Sequence, residues 1–280
     1  MPIADAIKTL INQGGLQSIS LPFMSGLARL HGHGVQRIFL DDGIWMHQTS
    51  HGYFAYHQPY LRLDLLRLDR LARKNFLWGY RPKTGDVIMD VGAGVGEETL
   101  TFSRAVGERG KVICIEAHPR TYRCLEKLVQ YNRLGNVIPI HVAVTEPGRS
   151  VVTIESNNEY LSNRIDSAGL SVPADTIDAI CQQLNLGRVH FLKMNIEGAE
   201  GLAIRGMADT FQQTEVLCVS CHDFLAQSAA DDRLRTKDSV RDFLRQNGLD
   251  VRERGEPGLP PYVRDQLWVY NQGLMQKAAS

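Results

Sequence analysis

The sequence predicts an α/β fold: a mostly parallel seven-stranded sheet with helices on both faces, an antiparallel closing strand, and an N-terminal helix/hairpin extension. Three observations carry this expectation. From Lys83 onward, short apolar runs alternate with stretches of helical periodicity, as strands joined by crossover helices require. The last two strand-like segments, 251–253 and 266–270, form a closing pair with no helix between them and must be antiparallel. Residues 1–80 follow neither pattern, so they form the extension, a lid or an oligomerisation element, and residues 81–280 form the main domain. A chain of 280 residues is long enough to bury a full-sized core.

In the extension, residues 4–12 place Ile7, Leu10 and Ile11 on one side of a short amphipathic helix. Residues 37–47 (RIFLDDGIWMH) are two apolar runs around an Asp42-Gly43 turn, which reads as a hairpin. Residues 61–78 carry Leu65, Leu68, Leu71 and Ala72 at helical spacing, closed by Gly79 and Pro82. The main domain opens with a buried strand at 86–90 (DVIMD) and a helix at 97–106, ended by Gly107. A second strand at 111–116 (KVICIE) precedes a helix at 119–134. The third strand, 137–144, leads through a Pro147-Gly148 turn to a hairpin extension at 150–154, and a helix at 175–186 begins after Pro173. The fourth strand is 189–195 (VHFLKMN), with a helix from about Ala199. The fifth is 216–220, with a helix at 238–247 ending at Gly248.

The strongest motif is the turn Asp90-Val91-Gly92-Ala93-Gly94-Val95-Gly96 between the first strand and its helix. A ligand approaches the backbone closely only where side-chain bulk is missing, as at Gly92 and Gly94. Nicotinamide-binding turns use G-x-G-x-x-G, which would place a third glycine at position 97. Glu97 stands there instead, and its carboxylate would repel a pyrophosphate. A phosphate-free cofactor bearing a sulfonium and an amino group suits Asp90 and Glu97, and that cofactor is S-adenosyl-L-methionine. Glu116 ends the second strand about 20 residues past Gly96, where an acidic side chain can accept hydrogen bonds from both ribose hydroxyls. Ala93, Gly96, Thr99, Ala117 and Ala143 complete the expected cofactor contacts.

Residues 191–200 (FLKMNIEGAE) resemble the FkbM family of methyltransferases, whose fourth strand commonly reads K-I-D-V-E-G-A-E. The resemblance extends to residues 90–99 (DVGAGVGEET), to Thr176-Ile177-Asp178 and to Gly206, and covers roughly residues 83–222. It implies the Rossmann-like class I methyltransferase fold and O-methylation of hydroxyl groups on natural products and sugars. Two positions depart from the pattern. Asn195 stands where the family often has Asp, and Ser220-Cys221-His222 stands where it often has E-x-H. Both weigh against a mechanism relying on those carboxylates and against a metal-assisted one.

Methyl transfer to oxygen needs an aligned nucleophile and removal of the hydroxyl proton. His222, at the carboxyl end of the fifth strand, is on the face where open parallel sheets bind ligands. It reads as a general base, or as a strand-end histidine bonded to a loop. Asn195 suits the methionine amino group or the substrate. Glu197 would orient the base or cap the following helix. Asn163 and Arg164, in the polar loop 157–166, are candidate substrate donors. Tyr53, with Trp45, Phe54 and Tyr56, would close an apolar lid over a substrate or dock the hairpin onto the core. His31, His33, His47, His51 and His57 match no zinc template and read as a solvated or lid-forming stretch, so no metal is expected.

Thirty-one basic residues balance 31 acidic ones, which gives no long-range attraction to a polyanion. Nucleic acid is therefore an unexpected acceptor, and no N-P-P-Y-like tetrapeptide follows the fourth strand. No apolar run approaches the roughly 18 residues of a membrane span. No signal peptide is legible, and the Cys218-Cys221 spacing lacks a redox-type context. The expected setting is cytoplasmic, with a small hydroxylated acceptor and, through the extension, a homo-oligomer. Two other readings stay open: a catalytically decayed S-adenosylmethionine-binding scaffold, which Asn195 and Ser220 would fit, and a nucleic-acid methyltransferase.

Overall fold

Asp42 and Gly43 adopt φ of 48° and 75°, the left-handed pair that a two-residue hairpin turn requires. In the computed structural model, which describes residues 24–26, 28, 34–154, 169–226, 232 and 234–277, this turn joins β1 (Val35–Asp41) to β2 (Ile44–Thr49). A further antiparallel strand, β3 (Gly52–Tyr56), makes the expected hairpin a three-stranded meander. The helix expected at 4–12 lies outside the described residues. The helix α1 (Leu65–Phe76) starts later than expected because Asp64 caps it, its carboxylate accepting from the Arg67 N–H at 2.9 Å.

The main domain alternates as expected: β4 (Val87–Val91), α2 (Thr99–Val106), β5 (Lys111–Glu116), α3 (Pro119–Asn132) and β6 (Val137–His141). The chain then leaves the sheet. Ala143–Val144 (β7), Val151–Ile154 (β8) and Leu170–Asp175 (β9) form a separate small sheet in the order β7-β9-β8. The expected single third strand over 137–144 is thus two strands in two sheets, and 150–154 pairs with β9 rather than extending the third strand. Pro173 lies within β9, not just before a helix. It sits opposite Val151, the first residue of β8, so its missing N–H falls at the end of the ladder. The next helix, α4 (Ile177–Gln183), begins only after Thr176, whose hydroxyl accepts from the Ala179 N–H at 3.1 Å.

After α4 come β10 (Val189–Met194), α5 (Glu200–Arg205), α6 (Ala208–Gln213), β11 (Thr214–Ser220), α7 (Lys237–Gln246), β12 (Val251–Glu253), a short α8 (Pro261–Arg264), β13 (Gln266–Tyr270) and α9 (Gln272–Lys277). The seven-stranded sheet runs β12-β13-β11-β10-β4-β5-β6. β11, β10, β4, β5 and β6 are parallel, and β13 pairs antiparallel with both β11 and β12. This is the expected arrangement: a mostly parallel seven-stranded sheet with an antiparallel closing strand.

Strand alternation sorts the core into two layers. Met89, Val91, Ile113, Leu192 and Met194 face Ile177, Ile204, Val240 and Leu244 on one side. Ile88, Val112, Cys114, Phe191 and Trp268 face Phe76, Phe102, Val106 and Leu125 on the other. The meander packs Ile38, Trp45, Met46 and Tyr56 onto Val95, Leu100, Cys124 and Leu128 of the α2–α3 layer. It is also latched by polar bonds. The Asn132 side-chain amide accepts from the Tyr53 N–H and donates to the Tyr53 carbonyl, both at 2.8 Å. Lys127 reaches Asp41 at 2.5 Å and Asp42 at 2.9 Å. All five cysteines are buried free thiols. No helix among the described residues is long and apolar enough to cross a membrane.

Candidate active site

Sheet order reverses at β4: the chain runs outward through β5 and β6, then returns to β10 on the other side. The crevice at such a switch point, beyond the carboxyl ends of the strands, is where open α/β sheets bind ligands. Backbone bonds hold the three strand ends together here. The Gly92 and Ala93 N–H groups donate to the Ile115 carbonyl at 2.9 and 3.0 Å, and the Asn195 N–H donates to the Val91 carbonyl at 3.0 Å.

The three glycines of the turn serve different ends. Gly92 has φ 75°, and a Cβ there would lie 2.1 Å from the Asn195 carbonyl oxygen. A side chain at Gly92 would therefore run into the β10 turn, while the glycine itself lines the cavity. Gly96 has φ 90°, and its Cβ would meet Leu125 of α3 at 2.9 Å, so it serves helix packing. Only Gly94, at φ 59°, faces open space.

That open space is a cavity with two unlike ends. Ala117, Val142, Ala143, Val144 and Ile154, from the β5–β8 side, form an apolar end. Gly92, Ala93, Gly94, Glu97, Glu98, Lys193, Asn195, Glu197 and Phe76 line the rest, with Glu116 at the tip of β5. Glu116 is braced by backbone donors, the Gly94 N–H and the His118 N–H, each at 2.9 Å. Burial pushes its carboxyl up, and those two N–H groups oppose the shift.

Beneath the cavity, Lys193 sits fully buried in β10. Its Nζ donates to Asp90 Oδ1 at 2.7 Å and to the Gly92 carbonyl at 2.8 Å, and lies 5.1 Å from the centre of the Phe76 ring. Burial works against its charge, but Asp90 and Glu98 outweigh it and leave the ammonium above its ordinary value. Burial pushes Glu98 up to about 7, with Lys193 pulling the other way.

Residues 90–251, more than half of the chain, match the methyltransferase FkbM domain. The chain belongs to the FkbM methyltransferase family. It is an S-adenosyl-L-methionine-dependent methyltransferase of class I fold. It is similar to the FkbM methyltransferase of Methylobacillus flagellatus, at 16% identity and TM-score 0.44 over 71% of this chain and 47% of that one. It is similar also to Aeropyrum pernix fibrillarin with bound S-adenosyl-L-methionine, at 16% identity and TM-score 0.43 over 84% of this chain and 98% of that one. A third likeness, to a Bacillus cereus O-methyltransferase, has 9% identity and TM-score 0.43 over 95% and 97% of the two chains. A 75-residue segment is 32% identical to the catalytic subunit of a tRNA (adenine(58)-N(1))-methyltransferase from Yarrowia lipolytica. It spans 27% of this chain and only 19% of that protein.

The residues fit this cofactor. Four acidic side chains line the cavity (Glu97, Glu98, Glu116 and Glu197), two of them (Glu98 and Glu116) pushed up by burial, against Lys193, whose charge Asp90 already meets. Such a set repels phosphate and favours a cationic ligand. The Gly94 N–H, which could otherwise meet a phosphate, is engaged by Glu116.

Other expected contacts lie elsewhere. Asp90 is fully buried under the turn, where it holds Lys193. Thr99 is fully buried against Cys114 of β5, with Oγ1 and Sγ 3.5 Å apart. Neither lines the cavity. Tyr53 docks the meander onto α3 and does not face the cavity. His222 is buried at the end of β11, beside the cavity wall rather than in it. Its partner is Glu200, not Glu197: Nδ1 and Glu200 Oε1 are 2.7 Å apart. Glu197 does not cap the following helix, because Ala199 is its first flanking residue. Asn163 and Arg164 lie outside the described residues, as do His31 and His33. His47 is buried in the meander core, and among the described residues no cluster of His, Cys, Asp and Glu is arranged for a metal. Sequence reasoning missed Lys193, Glu98 and Glu200. A lysine inside the apolar run VHFLKMN is a signal in itself, since a buried ammonium demands a carboxylate partner.

Proposed function

We propose that this methyltransferase transfers its methyl group to a hydroxyl oxygen of a small acceptor such as a sugar or secondary metabolite. The observation that carries this reading is the His222–Glu200 pair at the carboxyl edge of the sheet. Glu200 is fully buried. Its carboxylate accepts from the Gly198 N–H at 3.0 and 3.1 Å and from the Thr236 hydroxyl at 2.9 Å, besides facing His222 Nδ1 at 2.7 Å. A carboxylate held by these donors can accept from Nδ1–H and so orient the ring, with Nε2 as the nitrogen left for an acceptor.

His222 takes the acceptor's hydroxyl proton at Nε2, and the bonding pair stays on the oxygen. S-adenosyl-L-methionine supplies the methyl carbon when bound and is released as S-adenosylhomocysteine. Glu116 holds the ribose hydroxyls, the apolar end from Ala117 to Ile154 receives the adenine, and Glu97 with Asn195 receives the amino-acid end. Glu197 borders the acceptor side. The buried thiols support a reducing, cytoplasmic setting, and a homo-oligomer formed through the extension belongs to the same proposal.

Incubating the protein with S-adenosyl-L-methionine and a panel of hydroxylated sugars and metabolites, then following S-adenosylhomocysteine and methyl ether by mass spectrometry, tests the reading. His222→Ala is expected to lower turnover about 10²–10⁴-fold while leaving S-adenosylhomocysteine affinity unchanged. Unchanged turnover in that variant removes His222 from the chemistry. Methyl transfer to RNA but to no small hydroxyl would instead favour a nucleic-acid acceptor, and binding without turnover on any acceptor would mark a scaffold.

A further inference from the structure

We propose that the meander, which lies outside the family match at 90–251, completes the cofactor site: Tyr56 positions Glu97 to receive the ammonium of the cofactor's amino-acid end. The inference rests on the role given above to Glu97.

Tyr56 is 1% exposed, and its hydroxyl donates to Glu97 Oε1 at 3.0 Å. Glu97 lines the cavity and follows three positive-φ glycines, in the stretch between β4 and α2. A long side chain on such a turn has no neighbouring helical turn to restrict its rotamers. The Tyr56 hydroxyl restrains it, and a hydrogen bond to a carboxylate is of the strong, charge-assisted kind.

The tyrosine is itself held. His47 meets its ring edge-on at 5.4 Å between centroids, and Tyr60 does so at 4.8 Å. His47 is fully buried and accepts the Tyr60 N–H at Nε2, 2.8 Å away, which closes the group on itself. The meander that carries His47 and Tyr56 is bound to both α2 and α3. Arg104 of α2 donates to the His51 carbonyl at 2.5 Å, and Asn132 of α3 makes its paired bonds to Tyr53.

Glu97 belongs to the charged end of the cavity. Glu97 and Lys193 both act electrostatically on Glu98, and Lys193 and Asn195 come from the β10 side. The apolar group Ala117, Val142, Ala143, Val144 and Ile154 comes from the β5–β8 side. A ligand with an apolar base at one end and an ammonium at the other therefore meets Glu97 with its ammonium.

Two ligands separate positioning from structural support. S-adenosylhomocysteine carries the amino-acid end, and 5′-methylthioadenosine lacks it. In calorimetric titrations of the full chain, Tyr56→Phe is expected to weaken S-adenosylhomocysteine about tenfold and leave 5′-methylthioadenosine within about twofold. Glu97→Gln should show the same pattern, and adding Tyr56→Phe to it should cost nothing more. Equal weakening of both ligands by Tyr56→Phe, or of neither, overturns the proposal. If Glu97→Gln spares both ligands, the role of Glu97 falls first and the proposal with it. If Glu97→Gln acts and Tyr56→Phe does not, only Tyr56 is dismissed.

Discussion

Around the turn after β4 the cavity is built from backbone: carbonyls and N–H groups of β4, β5 and β10 latch onto one another, and glycine at position 92 lets two turns come within contact. The meander meets the cavity residue Glu97 through the hydroxyl of Tyr56, carried by three strands that are themselves docked on α2 and α3. The first construction tolerates almost no change of residue. The second tolerates much, provided that one hydroxyl arrives where Glu97 needs it. Sequence constraint and proximity to the site are therefore different things in this molecule.

The largest expected effect tests the backbone side of that contrast. Gly92→Ala puts a methyl 2.1 Å from the Asn195 carbonyl oxygen on a backbone of φ 75°, and the combined overpacking and left-handed strain should cost about 3–5 kcal/mol. Urea unfolding would register this as a large drop in midpoint. A midpoint near that of the wild type would mean that the two turns are not locked together.

A smaller effect separates the regions by pH. Burial pushes His47 in the meander down to about 4 from 6.5. The unfolded chain then binds the proton more readily, so the stability tied to neutral His47 is present above about pH 6.5 and is lost as pH falls toward 4. Glu98 at the cavity is pushed up to about 7 from 4.5. There the folded protein holds a proton that the unfolded chain has released, so its contribution is present below about pH 4.5 and is lost as pH rises through 7. Hydrogen exchange, corrected for intrinsic rates, should show the meander loosening between pH 7 and 5 while the β4 turn tightens. Both regions moving together would break the contrast.

The same division explains what could be read in the sequence. The Asp90–Gly96 turn, Glu116 and the strand run VHFLKMN were legible because backbone geometry and buried charge restrict residue choice there. The closing antiparallel strands and the Asp42-Gly43 turn were legible for the same reason. β3 and β9 were not. Gly52-Tyr-Phe-Ala-Tyr56 is too short to show a period, and Pro173 reads as a breaker until its place at a ladder end is known. Asp90 and Thr99 sit inside the motif yet under the cavity, and spacing alone does not tell a ligand contact from its support. Glu200 was misread as Glu197 because the choice between them depends on how α5 leaves β10. Glu197 and Gly198 take positive φ there, so the chain turns before the helix begins.

The central claim is that the cavity faced by Gly94 receives the cofactor. Gly94→Asn tests it most directly, because asparagine tolerates a φ near 59° and its side chain would enter space that is open in the wild type. Calorimetric titration with S-adenosylhomocysteine should show saturable binding by the wild type and none by the variant, with identical circular dichroism spectra. Wild-type affinity in the folded Gly94→Asn protein would place the cofactor elsewhere and contradict the account.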